Sequence, residues 1–257
     1  MADSQALSHS SGVRHRGSRL AFIGLAVAVL SGLALGAAGL GYRVNWWRLS
    51  TAFSIFRWGA YGGAAGAAVA LAGALLSRSH RRAMAFGVLG VALGGMVFAV
   101  PWRWQQTVRT VPPIHDITTD FDHPPAFVVI LPLRMKAPNP AAYGGPKVAA
   151  AQRRGYPDLA PLLLRLPPDQ AFLHAEQAAG TMGWDIVSID RPNGLIEATD
   201  TTLFFGFKDD VVVRVQTAPG GSRVDVRSVS RVGGSDVGTN AKRIRAYLGR
   251  LRQEERP

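Results

Sequence analysis

The sequence predicts a three-helix transmembrane anchor followed by one α+β domain, an antiparallel sheet with two helices on one face in the helix-grip manner. Three observations carry this. Apolar stretches over roughly 20–40, 58–76 and 83–100 are each near the length of about 20 residues that a helix needs to cross a bilayer. After Trp104 the chain changes to dispersed charge with Pro and Gly turns, and short runs there alternate apolar with polar residues at the period of strands. At 257 residues the chain holds one such bundle and one ordinary domain, not two domains with separate large cores. The expected division is a tail over 1–19, the anchor over 20–104, a Pro-rich strap over 105–155 and the α+β domain over 156–257.

Charge gives the anchor a direction. Arg14, Arg16 and Arg19 precede the first span, and Arg78, Arg81 and Arg82 follow the second. The first connection holds Arg43, Arg48 and Arg57 among Tyr42, Trp46, Trp47 and Trp58, residues that favour the headgroup interface. The positive-inside rule therefore places the tail in the cytoplasm, and an odd number of spans exports the rest. In a two-membrane bacterium this means a multi-pass inner-membrane protein with a periplasmic domain, and Trp46, Trp47, Trp58, Trp102 and Trp104 form a belt at the outer interface. The alternative for the first span is a cleaved signal peptide ending near Ala34, Gly36 and Ala38, although its apolar run is longer than is usual there. Glycines four apart, Gly32 and Gly36, Gly62 and Gly66, Gly90 and Gly94, would let the helices pack closely, if the spacing is more than the abundance of Gly. No Asp, Glu, His or Lys lies within a span, which argues against a transporter or channel.

The formal net charge of +12 sits mostly in the anchor, with nine basic residues against one acidic through residue 100 and twenty against sixteen after it. These cations flank apolar spans without the aromatic stripe or helix-turn-helix spacing that nucleic acid would need, so the bilayer is the expected partner and nucleic acid is not. The chain has no cysteine, which excludes disulfides, thiolate zinc sites and cysteine nucleophiles.

The strap takes its name from prolines 112, 113, 124, 125, 132, 138, 140 and 146, which break long helices and central strands. Past it, 161–166 reads as a short strand, and Pro167-Pro168-Asp169 opens a helix whose apolar face is Phe172, Ala175, Ala179 and Met182. Gly183 closes that helix. Strand 184–190 follows, then the hairpin signal Arg191-Pro192-Asn193-Gly194 and a strand over 195–199, which 202–207 continues or bends. Asp209-Asp210 reads as a turn. Val211, Val213 and Val215 then face a core while Val212, Arg214 and Gln216 face outward. After Pro219-Gly220-Gly221, Val224 and Val226 point inward while Arg223, Asp225 and Arg227 point out. A glycine-bearing loop over 232–238 leads to a last helix with Ala241, Ile244, Leu248 and Leu251 on its apolar face.

Several runs in this half resemble a bacterial and plastid family classed only as a domain of unknown function. They are Met182-Gly183-Trp184-Asp185-Ile186, Gly194-Leu195-Ile196-Glu197-Ala198, Phe207-Lys208-Asp209-Asp210-Val211, and 225–245 with its pattern S-R-V-G-x-S-D-x-G-x-N-A-x-R-I. Pro112 through Asp120 is similar to the strap that precedes this domain in membrane-bound members with three spans. The resemblance implies a fold and an envelope location, and no activity, cofactor or catalytic residue.

The best candidate site is the loop that joins the last strand to the last helix. Ser228, Ser230, Arg231, Ser235, Asp236, Asn240 and Arg243, with Gly233, Gly234 and Gly238, could hold an anion such as a lipid headgroup or a glycan carboxylate at a helix start. The preferred reading is structural, with Asp236 or Thr239 capping the helix and Arg231 paired to Asp209 or Asp210. Those two aspartates point to opposite strand faces, so a shared proton is not expected. Glu197, Arg214, Asp225 and Arg227 form a charge ladder on the outward sheet face, either solvated or a docking face for an envelope protein. His115, Asp116, Asp120, Asp122 and His123 carry metal-ligand chemistry at no recognisable metal spacing, and turn formation explains them. A membrane-tethered hydrolase using Ser235 or Ser230 with Asp236 and Arg231 is the alternative to a binding or scaffolding domain. It lacks a G-x-S-x-G turn.

Overall fold

A computed structural model describes residues 2–78 and 80–254. The chain divides into two compact units, Met1–Gln106 and Thr107–Pro257.

The first unit is built on α1 (Ala2–Arg43), α2 (Leu49–Leu76) and α3 (Arg81–Thr110). All three, α1 from His15 onward, are long and apolar enough to cross a membrane. Their packing is inside-out relative to a water-soluble bundle. Small side chains are buried (Ala21, Ala28, Ala60, Ala70, Ala74, with Gly63, Gly66, Gly90 and Gly94), whereas Phe22, Leu30, Leu33, Val88 and Leu89 are exposed. Water would drive the large side chains inward, while hydrocarbon has no such preference and leaves close backbone packing as the driving force. A Cβ on Gly66 would stand 2.8 Å from the Ala28 nitrogen, and one on Gly63 3.0 Å from the Gly94 carbonyl oxygen. Among the expected glycine pairs, those of α2 and α3 lie in these contacts. In α1 Gly32 lies against Val97 of α3, but Gly36 faces open space, and the close seam with α2 runs through Gly17, Ala21, Gly24 and Ala28. Helical spacing of small residues fixes which face packs, and four-residue glycine spacing is only one way to meet it.

The second unit has the expected α+β architecture. Its strands are β1 (Asp116–Thr118), β2 (Leu162–Leu164), β3 (Asp185–Asp190), β4 (Leu195–Thr201), β5 (Lys208–Ala218) and β6 (Gly221–Ser230). They form one antiparallel sheet in the order β1-β6-β5-β4-β3, with β2 also on β6. Helices α5 (Pro168–Thr181) and α6 (Thr239–Glu254) contribute Phe172, Ala175, Ile244, Tyr247 and Leu248 to a core with Val211, Val213, Val215, Val224 and Val226. Tyr247 stacks on Trp184 with ring centres 5.1 Å apart and donates to the Ala175 carbonyl at 2.8 Å.

Three features differ from the sequence reading. The Pro-rich stretch contains β1, a 3-10 turn (Leu131–Arg134) and a helix, α4 (Gly145–Gly155), so the domain has a third helix. Pro146 sits in the first turn of α4, where its missing N–H costs nothing, and Val148 and Ala151 pack against the core. Asp209 and Asp210 do not turn the chain. They lie inside β5, and 202–207 is the loop, closed by the Thr201↔Lys208 pair and by Phe207 N–H donating to the Thr202 hydroxyl. Lastly, the outward sheet face is covered: Glu197, Val212, Asp225 and Arg227 are all buried.

Candidate functional site

Residues 116–143 cross the outer face of the sheet and are tied to it by charge. Glu197 projects from β4 and its carboxylate accepts three successive backbone N–H groups, from Val128 and Val129 on Oε1 at 2.8 and 3.0 Å and from Ile130 on Oε2 at 2.9 Å. Such a run of N–H groups is a ready anion cradle, and here the chain's own carboxylate fills it. Arg227 grips Asp116 with two hydrogen bonds of 2.9 and 2.8 Å, donates to the Ala141 and Pro125 carbonyls, and lies over the Phe127 and Tyr143 rings. Arg214 bridges Asp120 at 2.9 Å and Asp225 at 3.1 Å, and Arg223 holds Asp225 from the rim. Of the expected cross-strand ladder only Arg214 and Asp225 stand directly opposite each other and pair, while Glu197 and Arg227 are both opposite Val212 and are bound by the crossing segment instead.

Asp210 is the most heavily engaged carboxylate. Arg231 donates to it twice, at 2.9 and 2.8 Å, Thr199 donates at 2.7 Å, and Arg134 reaches it from the 3-10 turn. Burial opposes its ionisation and is the largest single influence. The hydrogen bonds and charge of Arg231, Thr199 and Arg134 together outweigh it and hold the carboxyl below its ordinary 3.8. Arg134 was not among the residues singled out from the sequence, where it sits in an apolar run that hides its purpose.

Asp209 points to the opposite face, toward α6. Arg243 bridges Asp209 and Asp200, each at 2.7 Å, and also donates to Ser228 at 3.0 Å and to Asn240. Asn240 accepts from the Ser228 hydroxyl at 2.7 Å and donates to the His115 carbonyl at 3.0 Å and the Ser230 hydroxyl at 3.1 Å. Asp236 caps α6, accepting from Gly238 N–H at 2.9 Å and Asn240 N–H at 2.6 Å, while Ser235 accepts from Val237 N–H at 3.2 Å. Burial pushes Asp236 above its ordinary range, with those two N–H groups opposing the shift.

These candidate residues thus fall into two clusters on opposite sheet faces: Asp210, Arg214, Arg227 and Arg231 under the crossing segment, and Asp209, Ser230, Asn240 and Arg243 beneath α6, with Ser235 and Asp236 at that helix's start. Neither serine hydroxyl is hydrogen-bonded to a histidine or carboxylate base in these contacts. A cleft of about 480 Å³ beside the start of α5, bordered by Phe172, Arg191, Asn193 and Gln216, is lined by none of these candidate residues. Among the described residues no three His, Asp or Glu side chains gather as a metal site. Asp116 and Asp120 face arginines, and Asp120 also accepts from Asp122 and His123 N–H.

Among the described residues a few buried polar atoms lack a hydrogen-bond partner, and the Tyr156 hydroxyl is one of them. Burial, with Asp236 nearby, pushes it up to about 12 while Arg245 opposes. Removing an unpaired buried hydroxyl removes a desolvation cost, so Tyr156→Phe is expected to leave the unfolding temperature unchanged or to raise stability by up to about 1 kcal/mol. A fall on thermal unfolding would mean that the hydroxyl has a partner, such as a water.

Fold and site together define a multi-pass membrane chain whose α+β domain is held by internal arginine–carboxylate pairs. The chain belongs to the family described as "Protein of unknown function (DUF1499)", which matches residues 116–251. That match begins at β1, so the segment across the sheet is part of the family's domain. No curated protein and no solved structure matches the chain.

Proposed function

We infer that this is a multi-pass inner-membrane protein, amino terminus in the cytoplasm, displaying a periplasmic binding or scaffolding domain that contacts an envelope component. Direction rests on Arg14, Arg16, Arg19, Arg78, Arg81 and Arg82 against the Trp-rich opposite side, where Trp46, Trp58, Trp102 and Trp104 are exposed as an interfacial belt requires. The observation that carries the binding reading is the engagement of Arg231 and Arg243 in ion pairs, of Ser235 and Asp236 at the start of α6, and of the Ser230 hydroxyl with the Asn240 amide. A nucleophilic serine needs an adjacent base and oxyanion donors aimed at open space. Partner chemistry would then be read by the domain's surface, with anionic lipid, glycan or another envelope protein as the candidates.

The test separates binding from hydrolysis. Proteoliposomes incubated with anionic lipids and with peptidoglycan fragments should retain a ligand whose mass is unchanged by mass spectrometry. Release of a hydrolysed product by the wild type and not by Ser235→Ala or Ser230→Ala would replace this reading with the tethered hydrolase.

A further inference from the structure

We propose that the domain docks on the bilayer surface through an apolar ridge made by the 3-10 turn and the β4–β5 loop. Ten large apolar side chains of the second unit are exposed among the described residues, and they are not scattered. Five lie between Val128 and Met135, and two are Leu203 and Phe204. Met135 is 82% exposed and Leu203 90%, values that a water-facing domain has no reason to concentrate in two short segments.

The two segments are joined. Arg231 N–H donates to the Lys208 carbonyl at the end of the loop, and its guanidinium donates to the Leu133 carbonyl at 3.2 Å. Phe205 stacks on Phe207, 5.1 Å between centres, with Phe204 edge-on to Phe205, so the loop is a preformed aromatic knob. The Glu197 cradle fixes the start of the other segment at Val128–Ile130. This gives the buried charge layer a use: it holds an apolar ridge rigidly outward.

The occupant follows from composition and from the tether. Residues 126–141 and 201–208 contain no Asp or Glu, and Lys136 and Lys208 are exposed beside the apolar side chains, the pairing that suits an anionic headgroup region over acyl chains. Only residues 111–115 separate α3 from β1, a reach of at most about 20 Å, which keeps the domain beside a membrane if α3 spans one. Docking rests on the anchor reading and on nothing else in the proposed function.

The absence of cysteine allows single-site labelling of the full chain. Leu203→Cys, Met135→Cys and, as control, Ala246→Cys on the exposed face of α6 would each carry an environment-sensitive fluorophore in vesicles of phosphatidylcholine and phosphatidylglycerol. Labels at 203 and 135 are expected to be quenched several-fold more by spin-labelled lipid than the label at 246, and more strongly with phosphatidylglycerol than without. Equal quenching at all three sites, in a chain that still floats with the vesicles, overturns the docking ridge and leaves the anchor standing. Shielding of 203 and 135 from both lipid quencher and aqueous iodide overturns it in favour of a protein covering. A chain that does not float refutes the anchor and the docking together.

Discussion

Replacing Asp210 by alanine is expected to destabilise the second unit by about 3–5 kcal/mol, because it leaves Arg134 and Arg231 in a water-poor layer without their shared counter-charge. Against a total stability of roughly 5–15 kcal/mol this approaches unfolding, and thermal unfolding in detergent should report a fall of roughly 6–20 °C. Asp210→Asn is expected to cost less at neutral pH, since it keeps a side chain that accepts from Thr199. Its pH dependence has a defined sign. A carboxyl held below 3.8 when folded contributes stability that is fully present above that value and is lost as pH falls through the depressed pKa. Wild type and Asp210→Asn should therefore converge in acid, and a gap that stays constant from pH 7 into that range would show that the charge of Asp210 is irrelevant to folding.

The second large effect lies in the anchor. Gly66→Leu is expected to separate α1 from α2, because the new side chain would meet backbone atoms, Ala28 nitrogen at 2.8 Å and Gly24 oxygen at 2.9 Å, which cannot rotate aside. Overpacking usually costs about 1–3 kcal/mol, and contact with two backbone atoms places this change at or above the upper end. Gly36→Leu is the matched control. Its Cβ meets nothing within 4 Å, so its effect should stay within about 0.5 kcal/mol. Limited proteolysis and melting of the detergent-solubilised chain distinguish the two, and equal sensitivity would mean that the glycine seam is not what joins these helices.

Apolar runs near 20 residues announced the three helices, and the alternation of valines at 211, 213 and 215 announced the core face of β5, because both signals are local and periodic. The outer layer was not legible. Its partners lie far apart in the chain, Asp116 with Arg227 and Arg134 with Asp210, and no local pattern pairs residues across such distances. Asp209-Asp210 looked like a turn because a charge is assumed to be solvated. Three arginines from separate elements, Arg134, Arg231 and Arg243, make burial on opposite faces of one strand affordable. The Pro count in 111–146 hid β1 and α4 for a similar reason: Pro146 opens a helix as readily as it breaks one.

The role of the candidate loop was better anticipated in kind than in detail. Asp236 caps α6 and Arg231 pairs with Asp210, both within the structural reading of 228–243. Strand alternation alone makes Glu197 one member of a surface ladder, yet it binds three backbone N–H groups that belong to a segment almost 70 residues earlier. Only the folded chain brings that cradle and that carboxylate together.

An anchor of three spans would deliver the folded domain to the far side of the membrane from its own amino terminus. Labelling of single cysteines in spheroplasts with a membrane-impermeant maleimide tests it directly. Ala246→Cys is expected to react in intact spheroplasts and Ser11→Cys only after lysis. Reaction of Ser11→Cys before lysis, with Ala246→Cys protected until lysis, would contradict the orientation and the periplasmic role built on it.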